Sequence, residues 1–354
     1  MKQDARIASR NAMCVHFEAS RSTVDAVIAD LMAEGKVYTV KGSGTFVSPK
    51  LPESYKVDSG GNIVTWAVLV PDVRYYVYPE MCKGISDFTR ENGIALMICN
   101  TDDDPKREYS YLQKLVMAGV NGIIIVPALT DAKNVIGYQY LKERRIPFIF
   151  WNRSYDYMSD VPQVCINGYH GGRIAVEHLL EKGYRRIAYI APIRFRSSMD
   201  RFFGYSSALE IAGIELDINI TALELPKGRA EEAKDCARAM LLSNDPPDAF
   251  LCFTDELAIF VEQAVRGLGL RVSDDVGLIG FESSSTPADD AMQKKLTYIS
   301  INSYQSGRHA GYVLKELMNR QPEVKHRLSV FNPRLVLRES CLGPLKQRRH
   351  TCDG

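Results

Sequence analysis

One passage constrains the fold of this chain more than any other. From Val164 to Pro192 the sequence reads VCINGYHGGRIAVEHLLEKGYRRIAYIAP, a short apolar run, a glycine turn, an amphipathic helix and a second apolar run in immediate succession. Ile174, Ala175, Leu179 and Leu180 recur at spacings that share one helix face, while Arg173, Glu177, Glu181 and Lys182 occupy the rest of its surface. Gly183 stops the helix, and Ile187, Ala188, Tyr189 and Ile190 make the continuous apolar run of a parallel strand covered on both faces. The expectation is a single βαβ unit with a right-handed crossover.

The same alternation extends in both directions. Upstream, strands are expected over Thr65 to Val70, Ala95 to Asn100, Gly122 to Val126 and Phe148 to Trp151. Helices fall between them over Tyr78 to Asn92, with Met81, Ile85 and Phe88 inward, then Lys106 to Ala118 and Gly137 to Arg144. Downstream the pattern starts over, with helices at Met199 to Ala212, Ala230 to Ser243 and Glu256 to Leu268 and strands at Thr221 to Glu224, Ala249 to Cys252 and Gly277 to Gly280. A strand at Thr297 to Ile301, a long helix at Tyr304 to Arg320 and a strand at Leu335 to Arg338 finish it. This specifies an α/β fold of two Rossmann-like lobes with parallel sheets, joined by a hinge where the chain recrosses near Leu296. The expected N-lobe is 63–163 with 297–320, and the expected C-lobe is 164–295 with 328–340.

Bulk properties narrow the setting. A chain of 354 residues with 45% hydrophobic composition has ample material for buried cores. The net charge of +1 supplies no global field for nucleic acid, so any DNA grip has to come from one small segment. Eight cysteines stand singly, with no CxxC pair, which fits reduced thiols and argues against a disulfide framework or a metal site. No signal-peptide core opens the chain and no window reaches the roughly 20 apolar residues of a membrane span, so a soluble cytoplasmic protein is expected.

The first fifty residues read as helix, turn, helix and a two-stranded wing. Ala12, Val15 and Phe17 belong to the first helix; Ser20 caps the second, whose expected buried stripe is Val24, Val27, Ile28 and Leu31. Gly35 ends it. Val37 to Val40 and Thr45 to Val47 pair across the Lys41-Gly42-Ser43-Gly44 turn. Ser20, Arg21, Ser22 and Thr23 then stand at an exposed helix N-terminus, the end that approaches phosphates and base edges in a helix-turn-helix. The stretch 51–62, LPESYKVDSGGN, has no periodicity and reads as an interdomain linker. The basic end from 341 to 354 reads as a disordered tail.

Two resemblances follow from these residues. Asn167, Gly171-Gly172, His178-Leu179, Gly183 and Arg185-Arg186-Ile187-Ala188, with Val70-Pro71-Asp72, Asn121-Gly122-Ile123, Asn152-Arg153, Arg201-x2-Gly204, Asp255-x2-Ala258 and Gly280-Phe281, resemble the signature of LacI/GalR-type effector domains. Ser20-Arg21-Ser22-Thr23-Val24, Asp30-Leu31 and Gly42-Ser43-Gly44-Thr45-Phe46-Val47 resemble the winged helix-turn-helix of GntR-type regulators. By that second resemblance Ser20, Arg21, Ser22, Thr23, Lys41, Gly42, Gly44 and Thr45 meet DNA. Asn11 stands where that family usually has an arginine, and the family's first helix would precede Ser9. The expectation is an incomplete or marginally stable DNA-binding unit.

Ligands of open α/β sheets lie beyond the carboxyl ends of the strands, which selects Asp72 to Tyr78, Asn152 and Arg153, Thr254 and Asp255, and Glu282. The LacI-type resemblance implies that Asn152, Arg201, Thr254 and Glu282 hold sugar hydroxyls, with Tyr75, Tyr76 and Tyr78 against one ring face. Vicinal hydroxyls suit Arg and carboxylate groups, and an apolar C–H face suits aromatic rings. Trp151 either joins that aromatic wall or belongs to the core. Asp255 either lines the site or caps the helix beginning at Glu256. In that family an asparagine is usual at the place of Thr254, an aspartate at that of Glu282 and an aspartate at that of Asn167.

Enzyme readings find no support: no histidine pairs with a Ser or Cys nucleophile, no G-x-S-x-G elbow is present, and Gly168 to Gly172 do not match a phosphate loop. No cofactor and no metal are expected. The first reading is a ligand-responsive transcriptional regulator, a homodimer on operator DNA with a small sugar as effector and no membrane partner. A sugar-binding module without DNA grip is a second, and a regulator with a purine effector a third.

Overall fold

The computed structural model describes residues 6–33, 36–40, 44–47, 55–58, 60–74, 77–128, 135–155, 158–192, 196–223, 225, 230–281, 295–319 and 328–344. The chain divides into two compact units, 1–64 with 89–95, and 65–88 with 96–354.

In the first unit, helix α1 (Arg10–His16) is capped by Ser9, whose side chain accepts from Ala12 N, and none of its residues is buried. Helix α2 (Arg21–Ala33) starts where Ser20 Oγ accepts from Thr23 N at 3.2 Å, as an N-cap should. Val24 and Ile28 are buried and Leu31 half-buried, but Val27 is 52% exposed, so the expected stripe of that helix is narrower than its sequence suggested. Strands β1 (Val37–Val40) and β2 (Gly44–Val47) pair antiparallel with Tyr38 opposite Phe46, and the two rings stack. Ile7 N donates to Thr45 O at 2.9 Å, which lays the segment before α1 along the wing. Part of the expected linker is ordered by local chemistry. Asp58 Oδ1 accepts from Gly60 N and Asn62 N, and Val57 bridges Ile63, because an Asx side chain can substitute for a backbone turn.

Among the described residues the second unit holds two six-stranded sheets. One runs β13-β7-β6-β5-β3-β4 and the other β14-β12-β11-β10-β8-β9. The N-lobe sheet comprises β3 (Thr65–Val70), β4 (Ala95–Asn100), β5 (Gly122–Ile125), β6 (Phe148–Trp151), β7 (Gln163–Ile166) and β13 (Leu328–Phe331). The C-lobe sheet comprises β8 (Ile187–Ile190), β9 (Thr221–Ala222), β10 (Ala249–Cys252), β11 (Gly277–Phe281), β12 (Thr297–Ser300) and β14 (Arg334–Val336), the last antiparallel. The inner strands β5, β6, β8, β10 and β11 are buried along their whole length, whereas β4 and β13 at the sheet edges are half exposed.

Helices α3 (Tyr78–Glu91), α4 (Pro105–Met117), α5 (Val135–Glu143) and α10 (Ser303–Met318) serve the N-lobe sheet; α6 (Gly168–Glu181), α7 (Arg196–Ile211), α8 (Ala230–Leu241) and α9 (Asp255–Gly267) serve the other. Met81, Ile85 and Phe88 are buried as expected. Leu69, Leu112, Ile123, Tyr138 and Phe150 belong to one core, and Ile190, Phe250, Val261 and Leu278 to the other. Two close helix crossings depend on glycine. A Cβ at Gly84 would collide with the Tyr304 carbonyl of α10, and one at Gly172 with the Arg201 carbonyl of α7.

The sheets correct the lobe boundaries. Strand β7 pairs with β6 and β13, while β8 pairs with β9 and β10, so the passage from Val164 to Ile190 is a crossing between lobes and not one βαβ unit. Strand β12 lies beside β11 in the C-lobe, so the chain recrosses after Ser300 and not near Leu296. Strand β13 lies in the N-lobe, although 328–340 was expected wholly in the C-lobe. The expected tail also starts too early. Cys341 is buried and Leu342 N donates to Ser273 Oγ, while 345–354 lie outside the described residues.

Candidate functional site

Both sheets reverse their strand order once, between β3 and β5 in the N-lobe and between β8 and β10 in the C-lobe. A crevice opens beyond the carboxyl ends of the strands at such a switch point. There stand Asp72 after β3, Pro127 and Ala128 after β5, Asn152 and Arg153 after β6, and Thr254 and Asp255 after β10.

In the C-lobe the candidates gather around Arg201, in the first turns of α7. Its guanidinium lies 4.3 Å from the centre of the Phe253 ring and 4.0 Å from that of Phe281, and Nη1 donates to Phe253 O at 2.7 Å. Burial lowers its pKa to about 10, so it stays a cation at neutral pH. Its Nε is buried with no hydrogen-bond partner among the described residues. Thr254 is buried, and its Oγ1 accepts from Leu257 N at 3.2 Å. Thr254, and not Asp255, is therefore the cap of α9; Asp255 is the first helical residue, buried beside it. Capping uses one lone pair of the Thr254 hydroxyl and leaves its proton to donate. Glu282, next to Phe281, lies outside the described residues.

In the N-lobe, Asn152 adopts φ 57°, a left-handed conformation that asparagine tolerates better than most residues, while its N–H donates to Val164 O at 2.7 Å. Its Oδ1 is buried with no partner among the described residues. Arg153 donates to Asp103 Oδ1 at 2.7 Å and to Pro127 O at 3.3 Å. Asp72 is held below the usual carboxylate range by its hydrogen bond from Arg74. Trp151 is fully buried, donates to Ser306 Oγ, and meets Tyr78 edge-on. It is a core residue, and Tyr78, itself buried, covers it. Tyr75 and Tyr76 lie outside the described residues.

Sequence reasoning missed Glu108. Its carboxylate is fully buried, accepts from Ala128 N at 2.7 Å and from Tyr138 Oη at 2.6 Å, while Tyr155 Oη donates to Ala128 O. These bonds fix the backbone that leaves β5 at the switch point. The signal was present, because Glu108 shares the inward face of α4 with Leu112 and Leu115.

Among the nucleic-acid candidates, Ser20 Oγ lies 2.8 Å from both Ser22 Oγ and Thr23 Oγ1. Arg21 donates to Asn11 Oδ1 at 2.5 Å and lies 3.4 Å from Asp25. Gly44 holds φ 122° beside the Arg6 side chain. Thr45 is buried with its hydroxyl 3.1 Å from that of Thr39, so its side chain is part of the wing core and not an exposed contact. Lys41 and Gly42 lie outside the described residues.

Residues 176–341 match the periplasmic binding protein-like domain family. The arabinose metabolism transcriptional repressor of Geobacillus stearothermophilus is 28% identical over 96% of this chain and 92% of its own length. The ribose operon repressor of Halalkalibacterium halodurans is 26% identical over 78% of this chain and 79% of its own. A LacI family transcriptional regulator from Enterococcus faecium, solved with bound ribose, superposes with a TM-score of 0.65 at 24% identity, covering 79% of this chain and 99% of that one. From Thr65 onward the chain has a two-lobed, periplasmic-binding-protein-like fold, and it is similar in sequence to repressors of sugar operons.

Proposed function

We propose that the chain is a ligand-responsive, DNA-binding transcriptional regulator, a repressor of carbohydrate-use genes whose effector is a small sugar held between the two lobes. The observation that carries the effector reading is that two of the buried polar atoms without a hydrogen-bond partner among the described residues are Arg201 Nε in one lobe and Asn152 Oδ1 in the other. Buried polar atoms without partners are costly. One is a donor and the other an acceptor, and a hydroxyl can serve either. The relatives named for arabinose and ribose operons support a pentose.

In this reading Arg201, Asn152, Thr254 and Asp255 hold hydroxyls, joined by Glu282, while Tyr78 with Tyr75 and Tyr76 provides the apolar wall. The segment from Arg6 to Val47 is a winged helix-turn-helix of the GntR type. Ser20, Arg21, Ser22 and Thr23 approach DNA together with Lys41, Gly42 and Gly44. The working form is a homodimer on a two-fold operator. Among the described residues no helix is long and apolar enough to cross a membrane, and a cytoplasmic regulator fits that.

A thermal-shift panel of L-arabinose, D-ribose, D-xylose, hexoses and purines tests the effector class, because a ligand that binds only the native form raises apparent stability. A rise with a pentose supports the reading. A rise with a purine alone would replace the sugar by a nucleobase.

A further inference from the structure

Three described connections pass between the sheets: β7 to α6 through Asn167, β12 to α10 through Ile301 and Asn302, and β13 to β14 through Asn332 and Pro333. The first and third are tied together. Asn167 N donates to Phe331 O at 2.8 Å, and Asn167 Nδ2 donates to Asn332 Oδ1 at 2.9 Å. The other end of the same side chain, Oδ1, caps α6 by accepting from His170 N at 3.0 Å. The second connection differs: Asn302 sits at φ 53° and makes no side-chain cap bond.

We propose that Asn167 and Asn332 form an amide clasp that makes the first and third interlobe connections move as one, leaving the Ile301–Asn302 passage as the separate pivot of lobe closure. An ionised aspartate at position 167 could cap α6 but has no proton to give, so the pair would then hold only if the Asn332 amide turned to donate; the clasp needs an amide on at least one side. The clasped pair also borders the effector side. A Cβ at Gly171 would press on both Pro333 and Phe281, and Phe281 is the ring on which Arg201 stacks. Rotation of the clasped connections therefore bears on the Arg201 platform. That last consequence rests on the proposed effector reading, whereas the clasp itself does not.

The test is hydrogen exchange on the full chain with no ligand added, read in peptides covering 163–170 and 328–336. Asn332→Ala, which spares the α6 cap, should speed exchange at Asn167 by roughly fivefold, the loss expected for one net hydrogen bond. Asn332→Asp still accepts from Asn167 Nδ2 and should exchange as the native chain does. The isosteric double variant Asn167→Asp with Asn332→Asp sets two carboxylates face to face and should lose the protection again, with 122–125 and 249–252 unchanged. Native-like exchange in Asn332→Ala, or loss of protection in Asn332→Asp equal to that in Asn332→Ala, would overturn the clasp. If Asn332→Ala also loosens 122–125 and 249–252, the double variant decides: protected connections there overturn the clasp, and selective loss supports it. A parallel titration with D-ribose and L-arabinose bears only on the effector, so failure to bind either sugar leaves the exchange result intact.

Discussion

Trp151 Nε1 donates to Ser306 Oγ at 3.2 Å, which commits the indole at the end of β6 to helix α10. Both residues are fully buried, and Ser306 Oγ in turn donates to Ser303 O at 3.0 Å. The indole is thus a strut of the N-lobe beneath Tyr78 and has no donor left for a ligand.

Ser306→Ala removes the acceptor and strands a buried N–H. It should lower unfolding free energy by about 1–3 kcal/mol, measured by urea denaturation, without changing the slope with denaturant. A variant as stable as the native chain would mean that the indole finds another acceptor.

Glu108 gives a sharper contrast. Glu108→Gln keeps the shape, and the Tyr138 hydroxyl can turn to accept from the new amide, so its cost should be below about 1 kcal/mol. Glu108→Ala removes the carboxylate that accepts from both Ala128 N and Tyr138 Oη and should cost about 3 kcal/mol or more. Denaturation of the two variants side by side checks this. Equal losses would show that charge, and not the bonding pattern, holds the β5 loop.

His178 supplies a pH dependence. Burial, followed by the charge of Lys182, lowers its pKa below the ordinary 6.5, and its Nε2 lies 3.4 Å from Cys341 Sγ. With the folded value depressed, the unfolded chain binds more protons just below pH 6.5, so stability is present above that value and falls as pH drops through it. The fall is complete once pH passes below the folded value. Melting temperatures at about pH 8 and about pH 5 should therefore differ more for the native chain than for His178→Gln. Equal differences would remove His178 from the account.

Much of the fold was legible because a parallel strand covered on both faces must be apolar throughout, as in Gly122–Ile125 and Ile187–Ile190. Lobe membership was not legible. Nothing local distinguishes a helix that returns its strand to the same sheet from one that crosses to the other, and only the pairing of Val164 with Trp151 decides it. Strand β13 escaped notice because Leu328–Phe331 is a short, half-exposed edge flanked by charges. Among site residues, Arg201 could be placed from its motif, but its sandwich between Phe253 and Phe281 is set by two distant strand ends. Thr254 and Asp255 both follow β10, and which of them caps α9 depends on a single backbone N–H, that of Leu257.

In the proposed function, a small guest between the lobes alters the grip on DNA. Fluorescence anisotropy of the full chain on labelled DNA from its own upstream region, with and without the sugar that raises its melting temperature, tests this most directly. The sugar should change the apparent DNA affinity by about tenfold, within the usual range of allosteric coupling, and Arg201→Ala should abolish the change while still binding DNA. Identical DNA affinity with and without a sugar that demonstrably binds would contradict it.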